Sequence, residues 1–153
     1  MKFITTSDRE TKLLGQKLRK ILCVGDVVIF EGGLGVGKTT FIKGVLRGFG
    51  FREKDIISPT FTIIKEYSKS DLKVYHIDLY RIERKKELIN LDYQQFFYNP
   101  PGVTLIEWGE RIEDILPEYI KVRIGFIEFK KRKIIITLKG YPKAKLTELS
   151  CYS

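Results

Sequence analysis

The residues best suited to chemistry are Gly32-Gly33-Leu34-Gly35-Val36-Gly37-Lys38-Thr39, four glycines in six positions followed at once by a cation and a hydroxyl. The spacing fits G-x-x-x-x-G-K-[ST]. Glycines spaced in this way let successive backbone N–H groups turn inward around an anion, a geometry that side chains would obstruct. A helix starting at Lys38 would add the positive end of its dipole. Lys38 can reach β- and γ-phosphates and Thr39 can place its hydroxyl on Mg²⁺. Gly33, Leu34, Gly35, Val36, Gly37, Lys38, Thr39 and Thr40 are therefore the expected phosphate-binding residues. No Asn-Lys-x-Asp guanine signature follows a late strand, so the expected nucleotide is ATP.

A phosphate loop of this kind needs a second magnesium anchor, normally an acid at the C-terminal end of a neighbouring strand. Val103-Thr104-Leu105-Ile106-Glu107 and Val74-Tyr75-His76-Ile77-Asp78 each end in one. In an open α/β sheet such strand ends share an edge with the loop, so Glu107 and Asp78 both qualify. Ser58-Pro59-Thr60-Phe61 lies between the loop helix and the Asp78 strand, the interval that senses the γ-phosphate in P-loop switch proteins. Pro59 stiffens it and presents the hydroxyl of Thr60, although a plain strand entry would read the same way. His76, the sole histidine, shares a strand face with Asp78 and is as readily a core residue as an active one. A Ser-His-Asp hydrolase is disfavoured, because no glycine-flanked serine accompanies it. Arg81 could offer charge to a transferring phosphoryl group or simply pair at the surface.

These groups need a scaffold of alternating strands and helices. Phe3 to Ser7 reads as a short strand, Ser7 as an N-cap completed by Glu10, and a helix runs on to about Leu22 with Leu13, Leu14, Leu18, Ile21 and Leu22 on its buried face. Asp26 to Glu31 is a buried central strand, and Lys38 to about Arg47 a helix stopped by Gly48 and Gly50. Strands are expected over Phe61–Tyr67, Val74–Leu79 and Val103–Glu107. Ile120–Phe129 and Lys133–Lys139 form a hairpin across the basic Lys130-Lys131-Arg132-Lys133 turn. The pattern predicts one domain over residues 1–153, a three-layer α/β P-loop fold with a central mixed sheet, a C-terminal β-hairpin and an irregular basic tail from about residue 140.

The length of 153 residues suffices for a single core without disulfides or a structural metal. Cys23 and Cys151 are too few for a disulfide framework or zinc site and fit a reducing interior. No stretch approaches the ~20 apolar residues of a membrane span, so a cytoplasmic protein is expected. The formal charge is +9, and Lys121 to Lys145 holds nine Lys and Arg against one acid, Glu128. That segment reads equally as a solvated hairpin with lysines guarding its edge or as a surface for RNA or an acidic protein.

Taken in order, GGLGVGKTTF, SPTFTIIKEY, VYHIDLYR and LIEWGERI resemble the TsaE (YjeE) family of small bacterial P-loop ATPases. The resemblance spans nearly the whole chain, and the second pair of motifs is far more specific than the phosphate loop. It implies a part in making threonylcarbamoyladenosine beside the anticodon of tRNA. The ATPase would act on a heterodimer of the proteins TsaD and TsaB, meeting tRNA only through that complex. It implies Lys38 as the phosphate lysine, Thr39 and Glu107 as magnesium-associated, Asp78 as an acid needed for activity and Thr60 as the switch threonine. Trp108 also matches a functional position. The departures are Gly33 and Val36 in the variable loop positions, where backbone rather than side chain does the binding.

Two other readings share parts of this pattern. A small-molecule kinase would carry the same loop but usually an arginine-rich lid, and Glu83 to Asn99 contains only Arg84. A basic RNA-binding module with a structural nucleotide site would bind tRNA alone with steep salt dependence.

Overall fold

The computed structural model describes residues 1–59, 61–143, 145 and 147, with backbone alone at 89–91. Its strands are β1 (Lys2–Thr5), β2 (Val27–Glu31), β3 (Ile64–Lys69), β4 (Leu72–Asp78), β5 (Val103–Glu107), β6 (Tyr119–Glu128) and β7 (Lys131–Lys139). The helices are α1 (Asp8–Arg19), α2 (Lys38–Gly48) and the short α3 (Gln94–Phe97), with 3₁₀ turns at Glu53–Asp55, Lys85–Leu91 and Gly109–Arg111.

All seven strands form one sheet in the order β1-β7-β6-β2-β5-β4-β3. Strand β2 lies parallel to both β5 and β6, and β4 is parallel to β5, so four strand C-termini share one edge. The outer pairs β3–β4, β6–β7 and β1–β7 are antiparallel. The mixed α/β architecture is thus the expected one.

Side-chain alternation on β2 divides the core. Val28 and Phe30 face α1 and α2, packing with Leu14, Leu18, Phe41 and Leu46. Val27 and Ile29 face the other way, onto Ile77, Ile106, Leu79, Leu88 and Phe97. The two helices approach closely at their glycines: a Cβ on Gly15 would stand 2.3 Å from the Phe41 carbonyl oxygen, and one on Gly44 would stand 2.1 Å from that of Lys12. On the opposite face, 3₁₀ turns, α3 and connecting segments provide the cover, so the third layer is thin.

Four details depart from the sequence expectation. Leu13 is 45% exposed, because only the Leu14–Leu18 stripe of α1 reaches α2 and the sheet. Strand β3 starts at Ile64 instead of Phe61: the Pro59 carbonyl accepts the N–H groups of Thr62 and Ile63 at 3.0 and 2.6 Å, and Ile63 takes a φ of 66°. The chain reverses between β6 and β7 at Phe129-Lys130, with Lys130 at φ 60°, which places Lys131, Arg132 and Lys133 in β7. Strand β1 pairs with β7 over Arg132 to Ile135, so Lys133 lies within the sheet instead of on its edge.

The capping expectation holds with one change of partner. Ser7 Oγ accepts the Glu10 N–H at 3.1 Å, while the Glu10 carboxylate accepts the N–H of Thr6 at 2.7 Å. Much of the basic C-terminal charge is neutralised internally: Lys121 pairs with Glu31 and Glu113, Arg123 with Glu31, Arg132 with Asp8 and Lys145 with Asp26. Cys23 is exposed and unbridged. Thr60, Cys151 and most of the tail beyond residue 143 lie outside the described residues. Among the described residues no helix is long and apolar enough to cross a membrane.

Candidate functional site

The glycine loop leaves the C-terminal end of β2 and enters α2 through Gly37, whose φ is 110°. No side chain caps α2 and its first turn carries no acid. Its N-terminal amides are consequently open to an anion. A cleft of about 300 Å³ opens there, with Leu34, Gly35, Gly37, Lys38, Thr39 and Thr40 on the loop side and Asp78, Glu107 and Trp108 on the strand-end side. Gly33 and Val36 are not on its lining: Gly33 offers its carbonyl to Lys38, and Val36 is buried beneath the loop.

Register explains why the two acids meet. Strands β4 and β5 run parallel with Asp78 opposite Glu107, so both carboxylates leave the sheet at the same level. Glu107 is 4% exposed, and its Oε1 and Oε2 accept the Thr39 hydroxyl at 2.9 and 3.0 Å. His76, wholly buried, places Nε2 2.9 Å from Glu107 Oε1. Asp78 Oδ1 accepts the Tyr80 N–H at 3.0 Å.

Lys38 curls over its own loop, donating to the carbonyls of Gly32 at 2.7 Å and Gly33 at 2.8 Å, with Nζ 4.0 Å from the centre of the Trp108 ring. Burial pushes its pKa down against the opposing pull of Glu107, Glu110 and Asp78. A partly desolvated cation surrounded by weak acceptors is well prepared for a phosphate, which would outcompete two carbonyls. Burial likewise raises the Glu110 carboxyl, outweighing the Lys38 and Arg111 charges near it.

A divalent cation fits the donors present. One carboxylate with a hydroxyl already bonded to it matches the sparse protein ligation of Mg²⁺, which relies on phosphates and water for the rest. Among the described residues no group of three or more His, Cys, Asp or Glu could hold a metal unaided.

Three further contributors are placed by the fold. Tyr80 lines the cleft and packs against Trp108 at a tilt of 44°, with ring centres 5.4 Å apart. Arg111 places Nη1 within 2.9 Å of the carbonyls of Leu79, Tyr80 and Ile82 and its guanidinium 5.3 Å from the Trp108 ring. Arg132 reaches the underside of the loop through the Val36 carbonyl at 2.8 Å. Tyr80 and Arg111 fall within the HIDLYR and IEWGER motifs, whereas Arg132 is one basic residue among many and only the fold selects it. Arg81, by contrast, stands over Phe61 at 4.6 Å and is absent from the cleft lining.

Comparison with known proteins places the chain in a family. The family model for "Threonylcarbamoyl adenosine biosynthesis protein TsaE" matches residues 5–134. The tRNA threonylcarbamoyladenosine biosynthesis protein TsaE of Bacillus subtilis (strain 168) is 40% identical over 141 residues, covering 92% of this chain and 87% of that one. Its counterpart from Nostoc sp. (strain PCC 7120) is 39% identical over 137 residues, covering 88% and 84%. The crystal structure of Bacillus subtilis YdiB superposes with a TM-score of 0.82 at 34% identity, covering 99% of this chain and 95% of that one. With the family model matching residues 5–134 and relatives of about 40% identity covering most of both chains, this chain belongs to the TsaE family.

Proposed function

We propose that this chain is the ATP-binding and ATP-hydrolysing subunit of tRNA threonylcarbamoyladenosine biosynthesis, working in the cytoplasm on a TsaB–TsaD complex and meeting tRNA through that complex. The observation that carries the reading is the Thr39–Glu107 contact, which joins the first turn of α2 to a strand-end acid directly beside Lys38. The family membership supports the pathway.

ATP would lay its phosphates in the loop, against the N–H groups of Gly35 to Thr40, with Lys38 turning from the loop carbonyls to the β- and γ-phosphates. Thr39 and Glu107 would hold Mg²⁺, which when bound supplies charge neutralisation at the phosphate oxygens. His76 keeps the Glu107 carboxylate in place. Asp78, at the same level as Glu107, would orient the attacking water, and Thr60 would sense the γ-phosphate. Trp108, in contact with Lys38 and Tyr80, changes its surroundings when Lys38 moves, which gives the partner proteins a surface that depends on the nucleotide state.

The test is phosphate release and product analysis with TsaB, TsaD and tRNA present. Free phosphate, with turnover lost by about 100-fold or more in Lys38→Ala, is the expected result. A phosphorylated metabolite would assign the chain to the kinases. Normal tRNA modification by the hydrolysis-deficient variant would leave the nucleotide with a purely structural part.

A further inference from the structure

Arg132 enters the site from the side opposite the cleft. It lies on β7, paired with Phe126 on β6 and Thr5 on β1, and is 8% exposed. Its Nε donates to the Val36 carbonyl at 2.8 Å and its Nη2 to Asp8 Oδ1 at 2.7 Å, while the guanidinium lies 5.5 Å from the Phe126 ring centre. Nη1 is buried with no partner among the described residues. A buried guanidinium with one end unsatisfied costs free energy that an aliphatic side chain would not, so packing alone does not explain it.

We infer that Arg132 is a positioning residue for nucleotide binding, holding the Val36–Gly37 peptide so that the Gly37 N–H faces the phosphates. In a trans peptide the C=O and the following N–H point in opposite directions, and the described chain has no cis bond. Fixing the Val36 carbonyl outward onto Arg132 therefore fixes the Gly37 amide inward. Gly37 leaves the room: a Cβ there would stand 3.0 Å from Arg132 Nε. The cation also polarises that peptide, strengthening its N–H as a donor. Asp8, in the first turn of α1, holds the other end of the guanidinium. The phosphate loop is thus braced by β7 and by α1, neither of which contributes a residue to the cleft lining.

This inference rests on the cleft being a nucleotide site, and the experiment separates the two. MgATP affinity is measured by calorimetry on the full chain, alongside the thermal midpoint without nucleotide, for wild type, Lys38→Ala, Arg132→Met, Arg132→Lys and Asp8→Asn. The expected result is affinity weakened about tenfold in Arg132→Met, partly restored in Arg132→Lys, and weakened about threefold in Asp8→Asn at temperatures where every variant is folded. If Arg132→Met does not fold, Arg132→Lys and Asp8→Asn carry the test, Asp8 being exposed. Wild-type affinity in the folded Arg132 and Asp8 variants, with binding lost in Lys38→Ala, overturns the inference alone. No saturable binding by the wild type, or full binding by Lys38→Ala, overturns the nucleotide site and the inference with it.

Discussion

His76 Nε2 and Glu107 Oε1 lie 2.9 Å apart inside the sheet, and the same carboxylate accepts the Thr39 hydroxyl on its outer side. A histidine that donates to a carboxylate sets the direction of that carboxylate, and where such an acid holds a metal, loss of the support typically weakens metal binding by about 10- to 100-fold. His76→Ala should raise the Mg²⁺ concentration needed for half-maximal hydrolysis by about tenfold. His76→Gln, which can still donate to Glu107, should recover part of the loss. An unchanged Mg²⁺ midpoint in His76→Ala would reduce the histidine to a packing residue.

Glu107 and Asp78 stand at one level but meet different neighbours, so their conservative variants should separate. Glu107→Gln loses the charge that faces Thr39 and should weaken MgATP binding. Asp78→Asn should leave binding within about threefold and cut turnover by about 100-fold, as expected for a group that acts mainly in the transition state. Steady-state kinetics with direct binding measurements check the split, and a reversed pattern would exchange the two roles.

Trp108 is the only tryptophan in the chain, and Lys38 Nζ sits 4.0 Å from its ring centre. Nucleotide that draws Lys38 onto phosphate removes a cation from the indole face. Intrinsic fluorescence excited at the tryptophan should therefore change on adding MgATP and stay flat in Lys38→Met. A full signal in that variant would disconnect the tryptophan from the lysine.

Acid stability should depend on the cluster around Lys121. Hydrogen bonds from Lys121 and Tyr119 hold the Glu113 carboxyl below its ordinary value of 4.5. Burial works the other way on Glu31, but Lys121 and Arg123 outweigh it and its pKa is also lowered. The folded state then binds protons less readily than the unfolded one. The stabilisation is complete above about pH 4.5 and is lost as pH falls through the depressed folded values. Denaturant unfolding of Glu113→Gln from pH 6 to 3 should show a shallower loss than wild type; identical slopes would remove Glu113 from the account.

Gly44→Ala tests the helix pair. Its Cβ would stand 2.1 Å from the Lys12 carbonyl oxygen, so α1 must move away from α2. The expected cost is about 2–3 kcal/mol of unfolding free energy, as for other overpacked contacts. A loss below about 0.5 kcal/mol, the scale of an ordinary surface change, would mean that the helices adjust freely.

What the sequence revealed was local or periodic. The phosphate loop, the Ser7 cap, the central apolar strand and the two strand-end acids each carry their signal within a few residues, and each sits where that signal puts it. Strand β3 starts later than its apolar pattern suggests, because Phe61 is as apolar as a core residue yet the turn built on the Pro59 carbonyl leaves it 81% exposed. The basic segment was ambiguous because charge alone does not say which lysines and arginines find acids. Asp8 and Arg132 are 124 positions apart, and Glu31 and Arg123 are 92 apart. Such pairs exist only after β6 and β7 have been laid beside β2 and β1.

Arg111 gathers the carbonyls of Leu79, Tyr80 and Ile82 onto one nitrogen while its own segment begins immediately after Trp108. The exit of β4 and the exit of β5 are thereby clipped together, and the acid and the aromatic residue at those exits travel as a single jaw. The opposing jaw is the glycine loop with α2. The Thr39–Glu107 bond is where the two meet, so breaking it is the smallest change that would part them.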